Sequence, residues 1–260
     1  METDAERWIA AVRHSHDALR ALTEPLTPEQ LQQRSYDTEW SIVQVLSHLG
    51  SQAEVFNLWL DAGLTGQEPP GRDAFPPIWE AWNNRSPQAQ AADSLQVNQA
   101  LVERLESLGD GERERFRLQM FGMDIDLTGL ARMRLSEHAV HSWDVAVALD
   151  PSARVAPEAV GLLIDTIGQV TARGGRPDGT KRRVHVSTSD PERHFTLETG
   201  ETITLEPSAA EAREEDGPEL RLPAEALIRL VYGRLDPAHT PDVEAQGVEL
   251  DQLRQIFPGF

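Results

Sequence analysis

No cysteine occurs among the 260 residues of this chain, and that absence removes disulfides, thiolate metal sites and a cysteine nucleophile together. Any thiol chemistry would have to use a thiol brought in from outside. Positive charge is scarce as well: 24 Lys plus Arg stand against 43 Asp plus Glu, the net charge is −19, and Lys181 is the only lysine. A field of that sign repels nucleic acid and anionic lipid, so neither is expected as a partner. No apolar run approaches the ~20 residues that a bilayer crossing needs. The opening segment METDAERWIAAVRHSHDALRAL has no basic region followed by an apolar one, so a cytoplasmic protein is expected.

The length suits one large domain or two modest ones, and a change of character near Asp150 favours two, residues 1–150 and 151–260. The first half carries apolar residues at three and four residue spacing, the period of helices. A first helix is expected from Ala5 to about Leu22, ending before Pro25. A second starts at Ser41, where Ser41 and Gln44 have the spacing of a capping box, and runs to about Gly63 with Ile42, Val45, Leu46, Leu49, Ala53, Phe56 and Leu60 inward. The proline-rich stretch from Gly66 to Pro77 predicts a loop. A third helix is expected from Ser86-Pro87 to about Leu108, and a fourth from Leu127 to Leu149. Four long helices with a long crossover point to a four-helix bundle.

Beyond Asp150 one more helix is expected over Ala156 to Ala172, after which glycine and proline break the chain. Two alternating segments beginning at Arg183 and His194, separated by Asp190-Pro191, predict a hairpin. Short strands at Thr202–Leu205 and Leu220–Leu222 and helices at Pro223–Gly233 and Leu250–Ile256 complete a small α+β domain, so the fold class is α+β. The acidic run Glu211 to Glu215 predicts a solvated loop.

Glu137 and His141 lie four apart on the fourth helix, which stacks them on one face with about 5–6 Å between Cβ atoms. Two donors so placed can converge on one ion, and His48 on the second helix offers a third. Spacing alone leaves the plain reading open, in which Glu137 and His141 form a solvent-facing helix pair and His48 is a packed histidine. The stripe Leu130, Arg134, Glu137, His141, Asp144, Ala148 is apolar at its ends and polar in its middle. Buried polar groups need partners, and a metal is one way to supply them. Asp144 could accept the second imidazole N–H of His141, while His138, about 100° around the helix from Glu137, is expected to be exposed or to stand behind the ligands. His14 and His16 cannot share a helix face, and His185 and His194 are expected to pair across the hairpin. The tryptophans, Trp40 among them, read as core packing.

Three segments carry a resemblance: Trp40-Ser-Ile-Val-Gln-Val-Leu-Ser-His-Leu-Gly, Glu137-His-Ala-Val-His-Ser-Trp-Asp-Val-Ala and Leu227-Ile-Arg-Leu-Val-Tyr-Gly-Arg-Leu-Asp-Pro. In that order they resemble landmarks of the mycothiol-dependent maleylpyruvate isomerase family over essentially the whole chain. The resemblance implies a DinB-like metal-binding four-helix bundle followed by a smaller C-terminal domain. It implies His48, Glu137 and His141 as ligands of a divalent metal, with zinc the leading candidate, and mycothiol or another low-molecular-weight thiol as cosubstrate. Arg234 matches the family position that reaches toward thiol or substrate, and Arg85 is a second candidate. Either arginine could equally be a surface ion pair.

The implied chemistry is thiolate addition. A thiol made acidic by the metal adds to a cis double bond of an electrophilic diacid, the new single bond rotates, and expulsion leaves the trans isomer. In an S-transferase version the adduct stays. Two rivals are a DinB-like metal-dependent hydrolase using a metal-bound water and a non-enzymatic carrier or regulator holding a metal or an apolar ligand. A monomer or weak homodimer is expected.

Overall fold

A computed structural model describes residues 3–37, 39–120, 122–210 and 217–259. The chain forms two compact units, Met1–Arg154 and Val155–Phe260. The acidic run expected to be a loop lies outside the described residues.

The first unit is a four-helix bundle built from α1 (Asp4–Thr23), α3 (Ile42–Thr65), α5 (Pro87–Glu106) and α7 (Leu127–Leu149). Shorter helices, α2 (Pro28–Leu31), α4 (Pro76–Asn83) and α6 (Asp110–Arg115), and a small hairpin of β1 (Leu118–Met120) and β2 (Met123–Ile125) fill the connections. Each long helix starts at a residue whose side chain accepts an otherwise orphaned amide: Thr3, Ser41, Ser86 and Asp126. At Ser41 the predicted box is present, with Gln44 Oε1 accepting from the Ser41 amide at 2.9 Å. Such a cap contributes about 1 kcal/mol. Helix α3 ends on Gly66, whose φ of 70° closes the last turn in a conformation that costs a side chain.

The inward stripe expected for α3 is fully buried, Ile42, Val45, Leu46, Leu49, Ala53 and Leu60 being 0% exposed. At about 1.5–3 kcal/mol for each large apolar side chain withdrawn from water, these residues hold the bundle together. A tight approach accompanies them: a Cβ on Gly50 would fall 2.2 Å from the Trp82 ring, so α4 can lie against α3 only because residue 50 is glycine. The proline-rich crossover is not loop throughout. Pro76 and Pro77 occupy the first turn of α4, where no amide is needed.

In the second unit the expected single helix over Ala156 to Ala172 is two, α8 (Pro157–Leu163) and α9 (Ile167–Gly174), joined by a 3₁₀ turn at Ile164–Thr166. The turn lets α9 lie on the sheet so closely that a Cβ at Gly168 would sit 2.4 Å from the Leu205 carbonyl oxygen. Strands β3 (Arg182–Ser189), β4 (Arg193–Thr199), β5 (Thr204–Pro207), β6 (Glu219–Pro223) and β7 (Glu244–Gln246) form one sheet in the order β5-β4-β3-β6-β7. Only β3 and β6 run parallel. Val184, Val186, Phe195, Leu197, Leu220 and Leu222 alternate onto one buried face, which α10 (Ala224–Val231) helps to cover, and α11 (Leu250–Ile256) follows near the end of the chain. The architecture is therefore α+β, a four-helix bundle followed by a smaller sheet-containing unit. Among the described residues no helix is long and apolar enough to cross a membrane.

Candidate metal centre

Helix α7 departs from the usual amphipathic pattern, because Arg134, His138 and Asp144 are as buried as its leucines. Charged and polar side chains withdrawn from water need matched partners, and most of theirs lie on α1, α3 and α5. The bundle thus encloses a polar seam.

At the open part of that seam His48 from α3 meets Glu137 and His141 from α7. The Nε2 atoms of both histidines stand 3.8 Å from Glu137 Oε2, and one donor atom from each residue lies within 4.8 Å of the others. Among the described residues this is the one cluster of its kind. A separation of 3.8 Å is too long for a hydrogen bond. It fits donors facing a common ion, since metal–ligand bonds of about 2.0–2.2 Å in a tetrahedron set neighbouring donors roughly 3.4 Å apart. His48 Nε2 is buried with no hydrogen-bond partner, an orphaned atom that a metal would satisfy. Two imidazoles and one carboxylate are a donor set suited to zinc and related divalent ions, and three protein ligands leave a position open.

The protonation states agree with that use. Burial pushes the His48 imidazole below its ordinary pKa, against the pull of Glu137, so its ring stays neutral. Burial alone would raise the Glu137 carboxyl, but His48, His141 and the Gln52 amide together hold it down at about 2. Asp144, fully buried, lies 2.9 Å from His141 Nδ1. An ionised carboxylate only accepts, so the proton sits on Nδ1 and the Nε2 lone pair faces the cluster.

Three further side chains shape the site. The Trp40 ring packs 5.1 Å from the His48 ring and lies nearly parallel to His141 at 6.3 Å, so this tryptophan walls the centre rather than serving the core alone. Gln52 Nε2 donates to Glu137 Oε2 at 2.7 Å. Arg134 Nη1 donates to Gln52 Oε1 at 3.1 Å. Periodicity could have suggested the last two, since Gln52 is one turn beyond His48 and Arg134 one turn before Glu137.

Of the two expectations for His138, exposed or behind the ligands, exposure is corrected. His138 is 0% exposed, turned toward α1, where its Nδ1 lies 2.8 Å from Ser15 Oγ and 3.2 Å from Ser142 Oγ. The face about 100° from Glu137 is not solvent, because α1 packs along it. Arg85 is held by Asp93 at 3.2 Å and Glu54 at 3.5 Å and stacks 3.7 Å over Trp82. Arg234 belongs to the second unit, directly after Gly233, and its Nη1 donates to the Tyr232 carbonyl at 2.7 Å. His185 and His194 stack across the predicted hairpin with ring centroids 5.5 Å apart.

Comparison with known proteins agrees with this architecture. Residues 12–146 match the mycothiol maleylpyruvate isomerase N-terminal domain, and residues 154–251 match the C-terminal domain of the same proteins. The fold superposes on the crystal structure of a mycothiol-dependent maleylpyruvate isomerase with a TM-score of 0.64 at 15% identity, covering 90% of this chain and 92% of that one. A histidine-to-alanine variant of the isomerase gives 0.65 at 14% identity over the same shares. A stretch of 66 residues is 39% identical to a Geobacillus thermodenitrificans protein named for metal-dependent hydrolysis, and it spans 25% of this chain and 37% of that protein. With both domain matches in sequence order and together spanning most of its length, the chain belongs to the mycothiol-dependent maleylpyruvate isomerase family.

Proposed function

We propose that this protein is a metal-dependent enzyme that uses an external low-molecular-weight thiol of the mycothiol type to isomerise, or to add to, an electrophilic small molecule. The observation that carries the reading is the convergence of His48, Glu137 and His141 within 4.8 Å. These residues would hold a divalent ion, zinc being the first candidate. When bound, such an ion acts as a Lewis acid that converts a thiol, of ordinary pKa about 8.5, into a thiolate. His48 presents a neutral nitrogen, Glu137 supplies the negative charge, and Asp144 orients the His141 ring so that its Nε2 faces the cluster. Trp40 covers the imidazoles and limits water at them.

The lack of cysteine fits a thiol supplied from outside, and a cytoplasmic setting keeps small thiols reduced. Arg234 and Arg85 remain candidates for gripping a carboxylated substrate. Arg85 would have to exchange Glu54 or Asp93 for it.

Incubating metal-loaded protein with mycothiol and maleylpyruvate tests the reading. Cis-to-trans conversion, or thiol consumption with another electrophile, that requires both metal and thiol is expected. Chelator-sensitive hydrolysis with no response to any thiol would move the assignment to a hydrolase.

A further inference from the structure

Arg134 is a buried cation with no carboxylate against it. It is 1% exposed, and among the described residues no acid lies within ion-pair distance. Its Nη2 donates to the Leu49 carbonyl at 3.2 Å and to Asn98 Oδ1, and the Phe56 ring lies 5.4 Å from its guanidinium carbon. Burying such a group is costly without compensation. Its remaining contact, Nη1 on Gln52 Oε1 at 3.1 Å, explains what it does.

A guanidinium can only donate hydrogen bonds, whereas a carboxamide can turn either end toward a partner. Because Arg134 engages the Gln52 oxygen, the amide cannot flip without setting two donors against each other. Gln52 Nε2 is therefore committed to Glu137, where it donates to Oε2 at 2.7 Å. One lone pair of Oε2 is thereby occupied, while the same oxygen faces both imidazoles at 3.8 Å.

We propose that Arg134 is a positioning residue: by fixing the orientation of the Gln52 amide, it holds the Glu137 carboxylate in the pose that faces His48 and His141. The inference rests on reading those three residues as a metal site. Hydrogen bonds to a ligating carboxylate make a difference of about 10–100-fold in metal affinity. Arg134 should carry an effect of that size without touching a ligand.

The test combines zinc affinity, measured by competition with a chelator, and proton exchange of the Gln52 side-chain amide in metal-free protein. Gln52→Leu and Arg134→Gln should each weaken zinc binding by about 10–100-fold. The double variant should be no weaker than Gln52→Leu alone, because Arg134 acts through Gln52. Arg134→Lys, which still only donates, should recover most of the affinity. In metal-free wild-type protein the Gln52 amide protons should exchange slowly, and they should exchange faster in Arg134→Gln.

Additive losses, or a wild-type Gln52 amide that exchanges as freely as an exposed one, would overturn the proposal. The wild-type measurement decides even where an Arg134 variant fails to fold. Wild-type protein that binds no zinc but keeps a slow, Arg134-dependent Gln52 amide would remove the metal reading and leave the positioning role standing.

Discussion

Among the described residues three pairs of histidine rings lie close together, and two of them, His48 with His141 in the bundle and His185 with His194 on the sheet, are built differently. In the bundle His48 and His141 meet edge to face with ring centroids 4.7 Å apart, and Glu137 Oε2 faces both nitrogens. On the sheet His185 and His194 stack at 5.5 Å with rings 26° from parallel. Helix geometry produces the first, since an i, i+4 pair on α7 points two donors at a third on α3. Strand geometry produces the second, since side chains on one face of adjacent strands stand side by side. Rings that stand side by side present faces to each other rather than lone pairs to a common centre. Nearness of imidazoles is thus not sufficient for a metal centre; the donor atoms must converge on a common point, as they do for His48, Glu137 and His141.

The sharpest way to break that contrast is to delete one histidine from each pair. His141→Ala should lose bound zinc and thiol-dependent turnover while keeping its helical circular dichroism, because the bundle is held by buried apolar side chains such as Leu46 and Leu49. His194→Ala should leave zinc content unchanged. Equal zinc loss in both variants would erase the distinction.

A smaller effect is expected behind the ligand. Asp144→Asn replaces an accept-only carboxylate by a carboxamide that can also turn its NH2 toward His141 Nδ1, so the tautomer is no longer fixed, and zinc affinity should fall by about 10–100-fold with the fold intact. Chelator competition measures it, and unchanged affinity would mean that Asp144 only fills space.

Acid should destabilise the bundle next. His16, His48 and His138 are all depressed, in each case chiefly by burial. A histidine whose folded pKa is lowered contributes stability that is fully present above its unfolded value of about 6.5 and lost as pH falls toward the folded value. The melting temperature of metal-free protein should therefore drop between pH 7 and 5, and His138→Asn should flatten the drop. An equally steep acid limb in that variant would place the sensitivity elsewhere.

The smallest expected change concerns the helix that carries His48. Ser41→Ala removes the cap of α3 and should cost about 1 kcal/mol in denaturant unfolding, with zinc affinity preserved. A loss of affinity in the folded variant would show that the start of α3 sets the site.

Much of this was legible in the sequence. The four long helices follow from three and four residue spacing, from the cap at Ser41 and from Pro87 at the favoured first turn, and the hairpin from alternation broken at Asp190-Pro191. Strand β7 was not legible, because its three residues are all exposed and carry no alternation. The break between α8 and α9 was hidden too, since it depends on close packing of Gly168 on a distant strand. At the site, the i, i+4 pair was visible, and family resemblance supplied His48 as its partner. Gln52 escaped because a glutamine on a helix usually faces water, and Arg134 was placed on the polar stripe of the fourth helix without a role. Their role arises only where three helices close over them.

Cobalt substitution tests the central claim most directly, because it reports the metal and the thiol at once. Protein loaded with Co(II) should bind about one ion per chain at the open three-ligand site. Adding mycothiol should produce a near-ultraviolet sulfur-to-cobalt charge-transfer band that is missing in His141→Ala. A band of equal strength in His141→Ala, or bound cobalt whose spectrum no thiol alters, would contradict the assignment of His48, Glu137 and His141 as a thiol-activating metal centre.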